Sequence, residues 1–409
     1  MLFPNLLYFY NTIFFDHQHG FRRGFSRETQ LSLFTHEIHA NFESHHRTDA
    51  IFLYFSKAFD RVPHLRLLTK LSALKINDSV ISWIHNFLSS RVQFSVVNSH
   101  ESGLCNVTSG VPQGSALGLL LFLIFNNDLP HSISSKVCLF ADDCVLYRPI
   151  ASPDNHVLLQ NDLSTIMNWC SDWQMSLSYS KCKLVCFTRK RSVSSCMYFL
   201  GTQPIEEVQS YKYLGVLVTS DLSWAAHIEF ISLAASKTLG YIRRCLHSAP
   251  PNLRLLAYQT FVRPRLEYAA AIWSPHQIYL TTQLEAIQNR AARYILSVYD
   301  HTASVTALES QLNVTSLATR RKCSRLCLFH KILHHHPDIR SMLLQPPPRS
   351  SRRLTNSNCM QRISGSTNAF NNSFFPLAIS EWNVLPECIA LIICPDAFRS
   401  SLVLHFQGE

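Results

Sequence analysis

The sequence predicts an α+β fold, an antiparallel sheet packed on helices, followed by a helical region. Three observations predict it. The apolar runs Val137-Cys138-Leu139-Phe140 and Cys144-Val145-Leu146-Tyr147 meet at Ala141-Asp142-Asp143, which reads as a β-hairpin with acids at its tip. Ser109-Gly110-Val111-Pro112-Gln113-Gly114-Ser115-Ala116-Leu117-Gly118 is a tight bend, and the apolar run 119–125 behind it reads as a buried helix. Strand and helix patterns then alternate irregularly to about residue 220, after which only helical spacing recurs.

Taken in order, residues 29–42 suit an amphipathic helix and 50–55 a strand. Helices follow near 63–74 and 79–90, and 91–97 alternates enough to be a strand. Ser115 is a natural N-cap for a helix reaching about 129. A helix at 154–173 comes after the acid hairpin, and strands near 184–188 and 213–219 are expected to complete a sheet covered by helices on one face. Ile228, Ile231, Ala235, Ile242 and Leu246 recur at helical spacing, as do Leu280, Leu284, Ile287, Ala291 and Tyr294. Pro250-Pro251 separates the first set from a helix at 253–268, and another pattern spans 315–333. Residues 345–373, rich in Pro, Arg, Ser and Asn, read as flexible.

A chain of 409 residues with 47% apolar content can bury sizeable cores in two or three domains. The net charge of +10 favours a polyanionic partner, and residues 290–362 carry it: twelve Lys/Arg against three acids. Thirteen cysteines, an odd number with no Cys-x-x-Cys pair, point to reduced thiols rather than a disulfide framework. Cys323, Cys327, His330 and His334 could line one helix, but four positions on one helix cannot converge tetrahedrally on an ion. The first fifteen residues lack Lys and Arg, unlike a signal peptide, and no apolar run approaches a membrane span. An intracellular protein, nuclear or cytoplasmic and not secreted, is expected, with no membrane partner.

With the strand-to-helix block Ala50-Ile51-Phe52-Leu53-Tyr54-Phe55-Ser56-Lys57-Ala58-Phe59-Asp60-Arg61-Val62-Pro63-His64 upstream, the bend and the acid hairpin resemble the palm of reverse transcriptases from non-LTR (LINE-type) retrotransposons. Asp16-His17-Gln18-His19-Gly20-Phe21-Arg22-Arg23-Gly24-Phe25-Ser26 looks like that family's fingers-proximal block, and Leu177-Ser178-Tyr179-Ser180-Lys181-Cys182-Lys183 like its next palm block. Tyr211-Lys212-Tyr213-Leu214-Gly215-Val216 matches the family's hairpin called the primer grip. Arg263-Pro264-Arg265-Leu266-Glu267-Tyr268 and Ile272-Trp273-Ser274-Pro275-His276 look like landmarks beyond the palm. The resemblance covers roughly residues 16 to 385.

It implies a right-hand polymerase: partial fingers at 1–45, a palm at 46–220, a helical thumb at 221–300 and a basic helical C-terminal region at 301–409. The family's fuller fingers and endonuclease domain would lie before Met1. The implied activity is RNA-directed DNA polymerisation with an RNA template, a DNA primer or target and deoxynucleoside triphosphates. The implied cofactor is Mg²⁺, or Mn²⁺, as two ions about 3.5–4 Å apart. Asp142 and Asp143 fall on the metal-binding pair. Phe59 falls on the bulky residue that excludes a ribose 2′-hydroxyl, Gln113 and Gly114 on the nucleotide-facing bend, and Lys181 beside the departing pyrophosphate. Leu214 and Gly215 would hold the primer end.

One departure outweighs these matches. Tyr54 stands where the family carries a third metal-binding aspartate, and a phenol with a pKa near 10 is a poor ligand for a hard cation. Asp60 is better read as a structural carboxylate, and Leu119, where the family has proline, as a minor change. Three readings follow: a reverse transcriptase impaired by Tyr54, a non-catalytic nucleic-acid-binding protein, and a decayed transposon relic.

Overall fold

The structure is a computed structural model describing residues 13–190, 196–300, 302–347 and 356–407. The start of the apolar opening segment (1–12) and residues 348–355 of the stretch expected to be flexible lie outside them. The chain divides into two compact units, Met1–Gln30 with His46–Gln209, and Leu31–His45 with Ser210–Glu409.

In the first unit the apolar runs pair into a five-stranded sheet. Its strands are β1 (Arg47–Tyr54), β2 (Lys136–Phe140), β3 (Asp143–Ile150), β4 (Lys183–Phe187) and β5 (Glu206–Glu207), in the order β5-β4-β1-β3-β2. All neighbours are antiparallel except β4 and β5. Ile51 and Leu53 of β1, Leu146 of β3 and Leu184 of β4 share one core with Leu121, Phe122 and Phe125 of helix Ala116–Asn126 and Leu159, Leu163 and Ile166 of helix Pro153–Asp172. The opposite face, with Ala50, Phe52, Val145, Tyr147, Val185 and Phe187, is buried as well. The expectation of one covered face therefore falls short. Burial on both sides is why β1 reads as a continuous apolar run rather than an alternating one.

The helices begin where capping chemistry places them. Ser115 accepts the Gly118 N–H at 2.9 Å, so the bend passes directly into the apolar helix. Buried Lys70 on helix His64–Ala73 donates to the Phe125 carbonyl and to Asp128, joining the end of the apolar helix to its neighbour. Residues 91–97 do not form one strand. They break into Val92–Gln93 and Val96–Val97, which pair with Cys105–Asn106 and His100–Glu101 in an exposed ribbon with no core to hold it flat.

In the second unit, residues 213–219 do not complete the sheet. Ser210–Tyr213 and Val216–Thr219 form a hairpin of their own, and the acidic pair Glu206–Glu207 supplies the fifth strand instead. Helices Ala225–Cys245 and Ile278–Leu296 bury the spaced apolar positions Ile228, Ile231, Ala235, Leu284, Ile287 and Ala291. The helix expected at 253–268 is Pro251–Ala257 and Arg263–Glu267 joined through a π-turn at Tyr258–Val262, where Arg263 N–H donates to the Tyr258 carbonyl. Pro264 has no N–H to continue the ordinary ladder, so the turn widens. Helix Arg27–Glu43 is buried around most of its circumference, Ser32, Thr35 and His39 included, and so is not amphipathic. Within the stretch expected to be flexible, Asn356 donates to the carbonyls of Trp382 and Leu385, and Cys359 and Met360 are buried. Asparagines that look like loop chemistry here tie the segment to buried carbonyls.

Candidate functional site

The acid hairpin forms as its apolar runs dictate. Phe140 pairs with Asp143, leaving Ala141-Asp142 as a two-residue turn, and Ala141 sits at φ 57°. Positive φ at the first central residue matches the twist of a tight hairpin but is uncommon for alanine, so the surroundings must hold it. They do. Gln18 Oε1 accepts the Ala141 N–H at 3.0 Å and the Gly20 N–H at 2.8 Å, while Asn126 donates to the Ala141 carbonyl at 2.8 Å. Segment 17–19 also bonds to β2 through Leu139 in both directions. Gly20 lies so close that a Cβ there would sit 2.3 Å from Ala141 N. Gln18, Gly20 and Asn126 are the residues sequence reading missed. Their only signal was a Gln and a Gly inside the fingers-like block.

This clasp holds Asp142 and Asp143 half-buried. Burial raises both carboxyl pKa values; Asp143 is pushed up to about 6 by burial and then by the neighbouring Asp142 charge, with Arg27 acting in the opposite direction. Arg27 also lies over the Phe140 ring. Two adjacent acids held out of water in this way attract a cation.

Tyr54 ends β1 directly opposite Asp143 in the ladder. Ser56 N–H donates to Ser176 and Ser178 N–H to the Tyr54 carbonyl, so the segment carrying Lys181 runs along the end of β1. The Lys181 ammonium lies 4.3 Å from the Tyr54 ring centroid. Tyr54, Asp143 and Lys181 are thus neighbours at one end of the sheet.

The bend is bonded to the segment after β1. Gly110 N–H donates to Val62 and Val111 N–H to Phe59, each at 2.8 Å, and Ser109 Oγ donates to the Asp60 carbonyl. Between them opens a cleft of about 740 Å³ lined by Lys57, Asp60, Arg61, Arg91 and Gln113. Asp60 is exposed there, beside Lys57, Arg61 and Arg91 along the cleft. Gly114 is exposed at φ 84°, with open space where a Cβ would point. Phe59 is 9% exposed and stacks on Phe122 at 4.2 Å between centroids. Tyr54, Asp142 and Asp143 do not line this cleft, and neither do Phe59 and Gly114.

Leu214 and Gly215 belong to the second unit. They are the turn of the hairpin Ser210–Thr219, at φ 47° and 88°, a left-handed pair that leucine rarely enters. Tyr268 explains how it persists: its hydroxyl donates to the Leu214 carbonyl at 2.8 Å and its ring covers Gly215, where a Cβ would meet Cε1 at 2.8 Å.

Among the described residues no cluster of three or more His, Cys, Asp or Glu side chains could hold a metal ion. Asp142 and Asp143 offer oxygen ligands for one divalent cation. The third place beside them has a neutral phenol with an ammonium over its ring, which does not fit a two-ion site. None of the thirteen cysteines is joined in a disulfide.

The family model described as "Reverse transcriptase (RNA-dependent DNA polymerase)" matches residues 2–218. "Probable RNA-directed DNA polymerase from transposon X-element" of Drosophila melanogaster is 29% identical over 83% of this chain and 38% of that protein. "RNA-directed DNA polymerase from mobile element jockey" of Drosophila funebris is 25% identical over 78% and 36%. A solved telomerase from Candida tropicalis, in complex with a fragment of telomeric RNA, aligns over 74% of this chain and 45% of that one, at 9% identity and a TM-score of 0.39. The chain spans about 38% of the length of the first two curated relatives it matches. No helix among the described residues is long and apolar enough to cross a membrane. With more than half of its length matched by the family model and with relatives of this kind, the chain belongs to the reverse transcriptase family, in its non-LTR retrotransposon branch.

Proposed function

We propose that the sheet unit is a polymerase palm engaging an RNA template, a DNA primer and deoxynucleoside triphosphates, and that Tyr54 leaves it with little or no DNA synthesis. Residues 221–300 are read as the thumb, with Leu214 and Gly215 as the primer grip. A divalent ion, Mg²⁺ or Mn²⁺, would lower the cost of charge on the attacking oxygen and the departing pyrophosphate. Asp142 and Asp143 are the residues that would hold it, but the donor set beside them falls one carboxylate short. Gln113 and Gly114 face the nucleotide in this reading, Phe59 limits the ribose, and Lys181 neutralises pyrophosphate.

The observation that supports impairment is the pairing of Tyr54 with Asp143, with Lys181 over the phenol ring. Losing about 4 kcal/mol of transition-state stabilisation slows a reaction roughly a thousandfold. Primer extension on an RNA template, comparing the chain with Tyr54→Asp, tests this. Extension at least a hundredfold faster in the variant is expected; equal, robust extension by the unaltered chain would overturn the proposal. The ammonium over Tyr54 also favours a second reading, a nucleic-acid binder without catalysis. That reading expects primer–template binding that survives chelation of divalent ions and weakens steeply with salt.

A further inference from the structure

Helix Ala225–Cys245 carries Arg243 and Arg244 in its last turn, and Pro250 caps the next helix only a few residues later. Together with the end of helix Ile278–Leu296, this corner encloses a cavity of about 500 Å³ lined by Arg243, Arg244, His247, Arg254, Tyr294 and Tyr299, and by no carboxylate. Arg254, only 9% exposed, is the fixed element. It donates to the Tyr294 carbonyl at 3.0 Å, to Ser297 Oγ at 2.8 Å and to the His247 carbonyl at 2.5 Å. All three partners are neutral, and its buried Nε has no hydrogen-bond partner.

Part of this has an ordinary explanation. Arginines in the last turn complement a helix dipole, and Arg254 satisfies carbonyls at two helix ends. That does not account for three guanidiniums and an imidazole around one cavity, nor for the orphaned Nε. Asp300 follows Tyr299, but its carboxylate accepts the Thr302 N–H and does not line the cavity. A buried cation with neutral partners gains most from a counter-ion, and planar guanidiniums suit phosphate oxygens. Tyr299, 58% exposed at the rim, offers a face for a base.

We propose that this cavity is a phosphate-binding site, taking a phosphodiester of a nucleic-acid strand between Arg243 and Arg244, with Arg254 as the charge behind them. It does not rest on the palm reading and would hold even if Asp142 and Asp143 were idle.

The test uses the full chain. A labelled single-stranded RNA of twelve nucleotides is titrated by fluorescence anisotropy across a range of KCl concentrations. Arg243→Gln/Arg244→Gln, at exposed positions, is compared with a charge-matched control, Arg66→Gln/Lys75→Gln, also exposed. The expected result is about tenfold weaker binding and a salt slope smaller by about one in the first variant only. Inorganic pyrophosphate, followed by thermal shift, separates the sources of phosphate. Stabilisation that the double variant abolishes, with RNA affinity unchanged, would keep the phosphate site and overturn the strand as its occupant. As a check needing no variant, either ligand should protect Arg243 and Arg244 of the native chain from an arginine-specific dicarbonyl reagent, read by mass spectrometry. Equal losses in variant and control, or no protection by either ligand, would overturn the site.

Discussion

The two ends of β1 handle buried charge in opposite ways. At one end Asp49, fully buried, receives both arms of Arg47 at 2.6 Å and the Tyr198 hydroxyl at 2.8 Å. Every strong demand of that carboxylate is met inside the protein. At the other end, five residues on, Tyr54 faces Asp143, whose carboxyl is raised by burial and by Asp142. One end is a closed network that stabilises the sheet; the other holds acids whose charge the fold does not fully compensate. Uncompensated charge, kept in place by a strained Ala141 and a dedicated clasp, is the mark of a site that expects something from outside.

The largest expected effect breaks the closed end. Asp49→Ala strands the buried Arg47 guanidinium and should cost about 3–5 kcal/mol, read by urea denaturation. A loss below about 1 kcal/mol would mean that Arg47 finds water and the two ends are alike.

The open end should respond with the opposite sign. Asp143 has a folded pKa of about 6 against an ordinary 3.8, so the folded state holds the extra proton between those values. Stability from this group is therefore lost as pH rises from about 4 to 6, and none of that loss is recovered above it. Asp143→Asn removes the penalty. In chelator at pH 7 it should stabilise the chain by about 1–3 kcal/mol, shrinking towards zero near pH 3.5. Destabilisation at pH 7 would show that the carboxylate is already compensated.

The same contrast explains what could be read from sequence. The acid hairpin and the Ser115-capped helix were legible because apolar runs and a cap residue are local signals. Asp49 and its partners were not, since a buried ion pair joining positions 47, 49 and 198 leaves no periodic trace. The clasp of Gln18, Gly20 and Asn126 was hidden for the same reason. Strand β5 escaped because Glu206-Glu207 has no β propensity and owes its pairing to the β4 edge. The hairpin at Ser210–Thr219 is legible through its resemblance to the primer grip, but the expectation that its strand joins the main sheet fails, because its two strands pair only with each other. Tyr268, fifty-four residues after Leu214, is what supports its turn. The cavity around Arg254 assembles from three helix ends that no motif links.

The smallest effect concerns Lys181, and it decides how the open end is filled. A cation over an exposed or half-buried tyrosine is worth about 0.5–1 kcal/mol. A double-mutant cycle of Tyr54→Leu and Lys181→Met, read by thermal or urea unfolding, should return coupling of that size. Lys181 then spends its time on the phenol, and any anionic ligand would have to compete for it. Zero coupling would free the ammonium for a ligand, and the third position beside Asp142 and Asp143 would then be blocked by the ring of Tyr54 alone. Tyr54→Asp should replace the ring contact with an ion pair to Lys181, so a divalent ion would bind that variant only by displacing the lysine. Its apparent metal affinity should therefore rise further when Lys181→Met is added, which isothermal titration with Mn²⁺ can measure. An unchanged affinity would mean that lysine and metal never shared the site.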